Sequence, residues 1–198
     1  MKRVILYGGT FDPPHNGHRH LLEGAMRHFG ISEAIVMPTA IPPHKSADQC
    51  FAPMVRKRAV ELLMEGLSGV TVSDYEITKN AKSYTVDTLR HLKKEMPDTE
   101  ICFLMGSDMF LTLAKWWQAE EILRTATILA AAREEEMMPK MQEYRRFLLT
   151  IEPTCDIMLF DIDILPVSSS EIRAGENTDM VPRRVWKYLQ EYSIVREN

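Results

Sequence analysis

Six short apolar runs punctuate the chain: Val4–Tyr7, Ala34–Met37, Val70–Ser73, Ile101–Met105, Thr127–Ala131 and Ile157–Phe160. Most are continuous rather than alternating, the pattern of parallel strands covered on both faces. Amphipathic stretches lie between them. Gly17–Phe29 places Leu21, Leu22, Ala25, Met26 and Phe29 on one stripe, and Val55–Met64 sets Val55, Ala59, Leu62 and Leu63 opposite polar residues. Thr85–Glu95 carries Val86, Leu89 and Leu92, with Ser83 or Thr85 as its candidate cap. Met138–Leu149 and Val181–Tyr192 complete the helices, the latter opened by Pro182, which suits a first turn. Strands alternating with helices predict an α/β fold built on an open, doubly wound parallel sheet. No repeat or linker divides the chain, so residues 1–198 are expected to form one domain, with a helical part from about 168 to 198 packed on it. Pro38 to Pro53 is the longest unpatterned stretch, a length that in a compact domain usually serves function.

Composition narrows the class. The net charge is −4, so any anion site must come from local clustering, which argues against a general nucleic-acid binder. Cys50, Cys102 and Cys155 are odd in number and show no C-x-x-C spacing, so they read as buried residues of a reducing compartment. The run Val4–Tyr7 is ended by Gly8-Gly9 too early for a signal-peptide core, and no apolar run approaches the ~18 residues of a membrane span. A cytoplasmic protein with no membrane partner is expected. Its oligomeric state is open, and a homo-oligomer is allowed.

The candidate chemistry begins where the first run ends, at Gly8-Gly9-Thr10-Phe11-Asp12-Pro13-Pro14-His15-Asn16-Gly17-His18. The glycines let backbone approach a ligand closely, and the prolines stiffen the turn into the next helix. That helix presents its free N–H groups and positive dipole end at the sheet's carboxyl edge, an anion site by construction. His15 and His18 are three residues apart, so both rings fall on one side, over the anion. A two-histidine metal site fits the same spacing, but no third Cys or carboxylate ligand stands close by in the motif.

This segment resembles the signature of the nucleotidyltransferase superfamily, whose H-x-G-H element also occurs in class I aminoacyl-tRNA synthetases. The resemblance implies a Rossmann-like fold in which Gly8, Gly9, Thr10, Phe11, His15 and His18 hold the phosphates of a nucleotide. Two anions must then meet, an acceptor phosphate and the α-phosphate of ATP. A phosphate monoester has a second pKa of about 6, so it needs no general base at neutral pH. Catalysis becomes positioning and charge stabilisation, with His18 assigned to the transition-state oxygens and His15 to the triphosphate. Mg²⁺ is expected to come with ATP, held mainly by the triphosphate, and no protein metal ligand is named.

Later motifs narrow the acceptor. Ile41-Pro42-Pro43-His44-Lys45 is similar to a loop of nicotinate mononucleotide adenylyltransferases, which implies that Lys45 reaches the phosphates; read alone, Lys45 is a solvated loop lysine. Gly106-Ser107-Asp108 follows a strand, so Asp108 either meets ribose hydroxyls or caps a helix ahead of Met109–Ala114. The resemblance makes Gly106 and Asp108 nucleotide-binding residues. It also makes Trp117 the stacking partner of the nicotinate ring, with Tyr84 and Thr85 near its carboxylate. Gln118 stands where the family often has an aromatic residue. Val167-Ser168-Ser169-Ser170-Glu171-Ile172-Arg173 reads locally as a capping box, and by resemblance Ser168, Ser169, Ile172 and Arg173 grip the ATP phosphates. Arg133 is the family's strand-5 arginine by the same reasoning.

His15, His18, Lys45 and Arg173 are thus the expected catalytic residues of an enzyme joining ATP to nicotinate mononucleotide. Thr10 is shared between the two substrates. A phosphopantetheine acceptor is one alternative, and a nucleotide-binding sensor without turnover is another. A synthetase is disfavoured by length, which leaves no room for an anticodon-binding domain. Arg56-Lys57-Arg58 reads as solvated surface, with Arg58 the possible exception.

Overall fold

The computed structural model describes residues 2–40, 51–79, 84–132, 136–163 and 165–196, with side chains to residue 192. Six parallel strands form one sheet: β1 (Lys2–Gly9), β2 (Ala34–Pro38), β3 (Val70–Val72), β4 (Thr99–Gly106), β5 (Thr127–Ala132) and β6 (Ile157–Asp161). Their order is β3-β2-β1-β4-β5-β6. The winding reverses between β1 and β4, the crevice where ligands of open α/β sheets bind. All six apolar runs are strands; five outlast their runs by one or two residues at an end because ladder pairing continues into the flanks, as at Lys2↔Thr99, while β3 stops at Val72, one residue short of its run.

Alternation along the strands divides the core in two. In β1, Ile5 and Tyr7 face α1 (Asn16–Phe29), α2 (Pro53–Met64) and α9 (Arg183–Arg196), while Val4 and Leu6 face α4 (Thr85–Glu95), α6 (Ala119–Thr125) and α7 (Met137–Ile151). Both faces are covered, which explains why the strands read as unbroken apolar runs. The short helices α3 (Tyr75–Thr78), α5 (Ser107–Phe110) and α8 (Ser169–Arg173) fill turns at the sheet's edges. Among these, α3, α5 and also α6 escaped the periodicity, since helices of four to seven residues complete at most two turns. The expected caps shift slightly. Tyr84, not Thr85, is the N-cap of α4, Ser83 lies outside the described residues, and Pro182 precedes α9 with its carbonyl accepting from Val185 and Trp186.

Cys102 and Cys155 are free and buried. Burial pushes the Cys102 thiol up to about 12, with the Glu100 carboxylate adding to the shift. They are packing residues, not nucleophiles. Among the described residues no helix is long and apolar enough to cross a membrane.

Candidate active site

The turn leaving β1 is shaped by close packing. Phe11 takes φ +51°, a left-handed backbone uncommon outside glycine. The strain turns its ring back over Gly9, where an added Cβ would sit 3.1 Å from the ring. Buried there, the Phe11 ring meets Tyr7 edge-on at 5.3 Å and the His18 ring at 5.0 Å. Gly8 differs. A Cβ at Gly8 would meet only the Phe103 ring, at an ordinary 3.8 Å, so no neighbour demands glycine at this position. A backbone kept bare without a packing reason suits the approach of a ligand.

His15 is the N-cap of α1 and only 4% exposed. Its ring lies 3.7 Å from that of His18, centroid to centroid, so the pair stands on one side of the helix start as the spacing predicted. Their backbone link is reciprocal. The His18 N–H donates to the His15 carbonyl at 2.9 Å, and the His15 N–H donates to His18 Nδ1 at 3.2 Å. His18 therefore stands where a capping box usually has Glu or Gln. A backbone N–H can only donate, so Nδ1 must be unprotonated and the ring carries its proton on Nε2. With Nδ1 engaged as an acceptor, Nε2 is the ring nitrogen left to donate to a ligand.

The far end of the chain closes this turn. Ser168 caps α8 by accepting the Glu171 N–H at 3.2 Å, and Glu171 Oε2 accepts the Ser168 N–H at 2.7 Å. The Ser168 hydroxyl first, and then the Ser168 N–H, hold the Glu171 carboxyl below its ordinary value. Ser169 Oγ donates to the Pro13 carbonyl at 3.0 Å. Arg173 Nη1 donates to the Asp12 carbonyl and Nη2 to Ser170 Oγ at 3.0 Å. Ile172 is buried in the core, so its side chain seats α8 rather than facing a ligand. The capping-box reading and the phosphate reading thus fall on the same residues, and Arg173 is brought beside the signature turn.

A second cluster forms where β4 ends. Gly106, not Asp108, is the N-cap of α5, and Asp108 is exposed in that helix's first turn. Trp116 packs edge-on against Phe103 at 6.1 Å, while Trp117 is 62% exposed. Trp117 faces Tyr84 across 6.1 Å, with rings tilted by 45°. Both rings are exposed, beside Thr85, the first residue of α4. Gln118 takes φ +54°, and its Oε1 accepts from Arg90 Nη2 at 2.7 Å. Its carbonyl oxygen thereby braces α4 against the start of α6. Lys45 and Arg133 lie outside the described residues.

Sequence reasoning missed one residue of the region. Arg56 is 1% exposed, and its guanidinium donates to four backbone carbonyls: Phe51 at 2.9 Å, Thr10 at 2.7 Å, Thr39 at 2.7 Å and Ala40 at 2.8 Å. Arg58, the expected exception in the basic run, is exposed and pairs with Glu61 at 2.9 Å. The signal was in the helix period, since Arg56 falls three and four residues before the inward Ala59 and Val60. Among the described residues no cluster of three or more His, Cys, Asp or Glu could hold a metal ion.

Two histidines at a helix start, on a sheet wound in this order, fit a nucleotidyltransferase, and residues 6–175 match the cytidylyltransferase-like family. The chain is 31% identical to a protein of Clostridium tetani named as a probable nicotinate-nucleotide adenylyltransferase, across 99% of this chain and 100% of that one. A Listeria monocytogenes protein of the same name is also 31% identical, over 97% of this chain and 96% of its own length. The chain belongs to the nicotinate-nucleotide adenylyltransferases of the cytidylyltransferase-like family. Its fold is shared with the Plasmodium falciparum nicotinic acid mononucleotide adenylyltransferase, solved as complexes with APC and with NaAD. That match has a TM-score of 0.76 at 20% identity and covers 100% of this chain and 99% of the other.

Proposed function

We propose that the protein transfers the adenylyl group of ATP to nicotinate mononucleotide, giving nicotinate adenine dinucleotide and pyrophosphate for NAD biosynthesis. The observation that carries this reading is the pairing of two sites at one sheet edge. The paired His15 and His18 rings over the start of α1 suit a phosphate chain, and the exposed Trp117–Tyr84 pair suits a flat ring. Relatives matched over nearly the full chain bear the name of this activity.

In the reaction, a phosphate oxygen of the mononucleotide attacks the α-phosphorus of ATP. The new P–O bond forms as the bond to the β-phosphate oxygen breaks, and pyrophosphate leaves with that electron pair. The acceptor is already anionic, so no residue is needed as a base. His18 donates from Nε2 to the transferring group. His15, the α1 N-terminus, Lys45, Arg133 and Arg173 share the triphosphate charge, with Gly8, Gly9, Thr10 and Phe11 supplying backbone approach. Ser168 and Ser169 act mainly by holding α8 on the Asp12–Pro13 turn. Gly106 and Asp108 border the nucleoside, and Trp117, Tyr84 and Thr85 take the pyridine ring and its carboxylate. ATP enters as its Mg²⁺ complex, the ion held chiefly by phosphate oxygens. The reading treats residues 1–198 as one cytoplasmic domain.

The test is pyrophosphate release from ATP offered separately with nicotinate mononucleotide, nicotinamide mononucleotide and phosphopantetheine. Release is expected with nicotinate mononucleotide. Silence with all three acceptors would refute the enzymatic reading.

A further inference from the structure

Arg56 stands apart from the rest of α2. Val55, Ala59, Val60 and Leu63 already dock that helix on the core. An apolar residue at 56 would complete the stripe, and burying a guanidinium is unfavourable unless its donors are met. The chain keeps the charge and spends the donors on carbonyls from three separate segments. Thr10 lies in the signature turn, Thr39 and Ala40 follow β2, and Phe51 precedes α2. Phe51 is held on its other side too, its N–H donating to Oδ1 of the buried Asp12 at 3.1 Å. Thr10 and Asp12 are thereby stitched to Thr39, Ala40 and Phe51.

We infer that Arg56 is a positioning residue for the ATP-phosphate turn, acting through the Thr10 carbonyl and the Ala40 and Phe51 anchors. The physical link is the planar trans peptide. With the Thr10 C=O drawn onto the buried guanidinium, the N–H of the same peptide, that of Phe11, points the opposite way, away from Arg56. One side chain thus sets the direction of a backbone donor in the segment proposed to meet phosphate. A lysine at 56 would keep the charge but has a single nitrogen, which cannot span carbonyls that the planar fork reaches from three nitrogens. The inference rests on the proposed binding of ATP at this turn, but not on the identity of the acceptor.

The experiment compares Arg56→Lys and Arg56→Met with wild type by steady-state kinetics and by calorimetric titration of α,β-methylene-ATP, with circular dichroism as a check on folding. For both variants the expected result is a KM for ATP and a Kd for the analogue raised at least about tenfold, with the KM for the pyridine mononucleotide within about twofold. Parallel rises in both KM values, or a Met variant with wild-type analogue affinity, would overturn the inference and leave Arg56 a packing residue. If neither variant folds, hydrogen exchange on the wild type decides. The analogue should slow exchange across residues 51–56 as well as 8–18, and protection confined to 8–18 counts against the coupling. A wild type that binds the analogue but releases no pyrophosphate with any acceptor refutes the enzymatic reading and leaves the coupling through Arg56 to be judged by the binding data alone.

Discussion

Replacing Gly17 with alanine sets a local gain against a local clash. In an ordinary helix the change stabilises by about 1 kcal/mol. Here the new Cβ would lie 2.9 Å from Val167 Cγ1 and 3.0 Å from His15 Nδ1. Carbon contacts relax only near ~3.5–4.0 Å, so these neighbours must retreat by about 0.5–1 Å in total. Val167 and His15 are both buried and have little room to do so. Overpacking of this kind costs about 1–3 kcal/mol, leaving a net loss of roughly 0–2 kcal/mol after the helix gain. For a chain of this size that is a fall in Tm of at most about 8 °C. The effect on chemistry is larger, because displacing a phosphate-binding ring by a fraction of an ångström costs about 10- to 100-fold in kcat. Thermal denaturation and pyrophosphate release read the two effects separately. The Gly17→Ala/Val167→Ala double variant removes one clash and should still be slow, since the contact with His15 remains. Wild-type kcat in the single variant would refute the claim that Gly17 sets the place of His15.

Three further substitutions test other parts of the site. His18→Asn keeps an acceptor for the His15 N–H but loses the distal donor, so kcat should drop at least ~100-fold with Tm nearly unchanged; equal loss of both would make His18 merely a cap. Trp117→Ala should raise the KM for the pyridine nucleotide about 5- to 10-fold, with stability within ~0.5 kcal/mol because the ring is exposed, and a matching rise for ATP would remove Trp117 from the pyridine slot. Glu171 has a lowered folded-state pKa, so its stabilisation is fully present above the ordinary Glu range and is lost as pH falls through the folded value. The Tm gap between wild type and Glu171→Gln should therefore close between about pH 5 and 3, and a gap constant over that window would contradict the assignment.

The sheet was legible because both its faces are covered, which removes alternation and leaves six apolar runs in an order that admits few topologies. Thr85–Glu95 was legible at both ends, its Val86, Leu89 and Leu92 stripe being long enough to show a period. The site was legible where a motif is local, as at His15 and His18. It was hidden where partners are distant. Nothing near Arg56 in sequence announces that its acceptors lie 46, 17 and 16 residues away at Thr10, Thr39 and Ala40. Gln118 was equally opaque, because its partner Arg90 sits 28 residues upstream and settles how the amide is used. The His18 tautomer also needed coordinates, since spacing places a ring but not its proton.

The docking of α8 on the Asp12–Pro13 turn joins residues separated by 156 and 161 positions, nearly the length of the chain. On a ribosome, the signature turn emerges more than 150 residues before its brace. Contacts so far apart in sequence close late, after the sheet between them has assembled. A partly made or misfolded chain holds the histidines without the strut that fixes their backbone. Turnover then reports that the whole sheet has closed, which makes the signature turn a poor nucleotide trap in any unfinished copy of the protein.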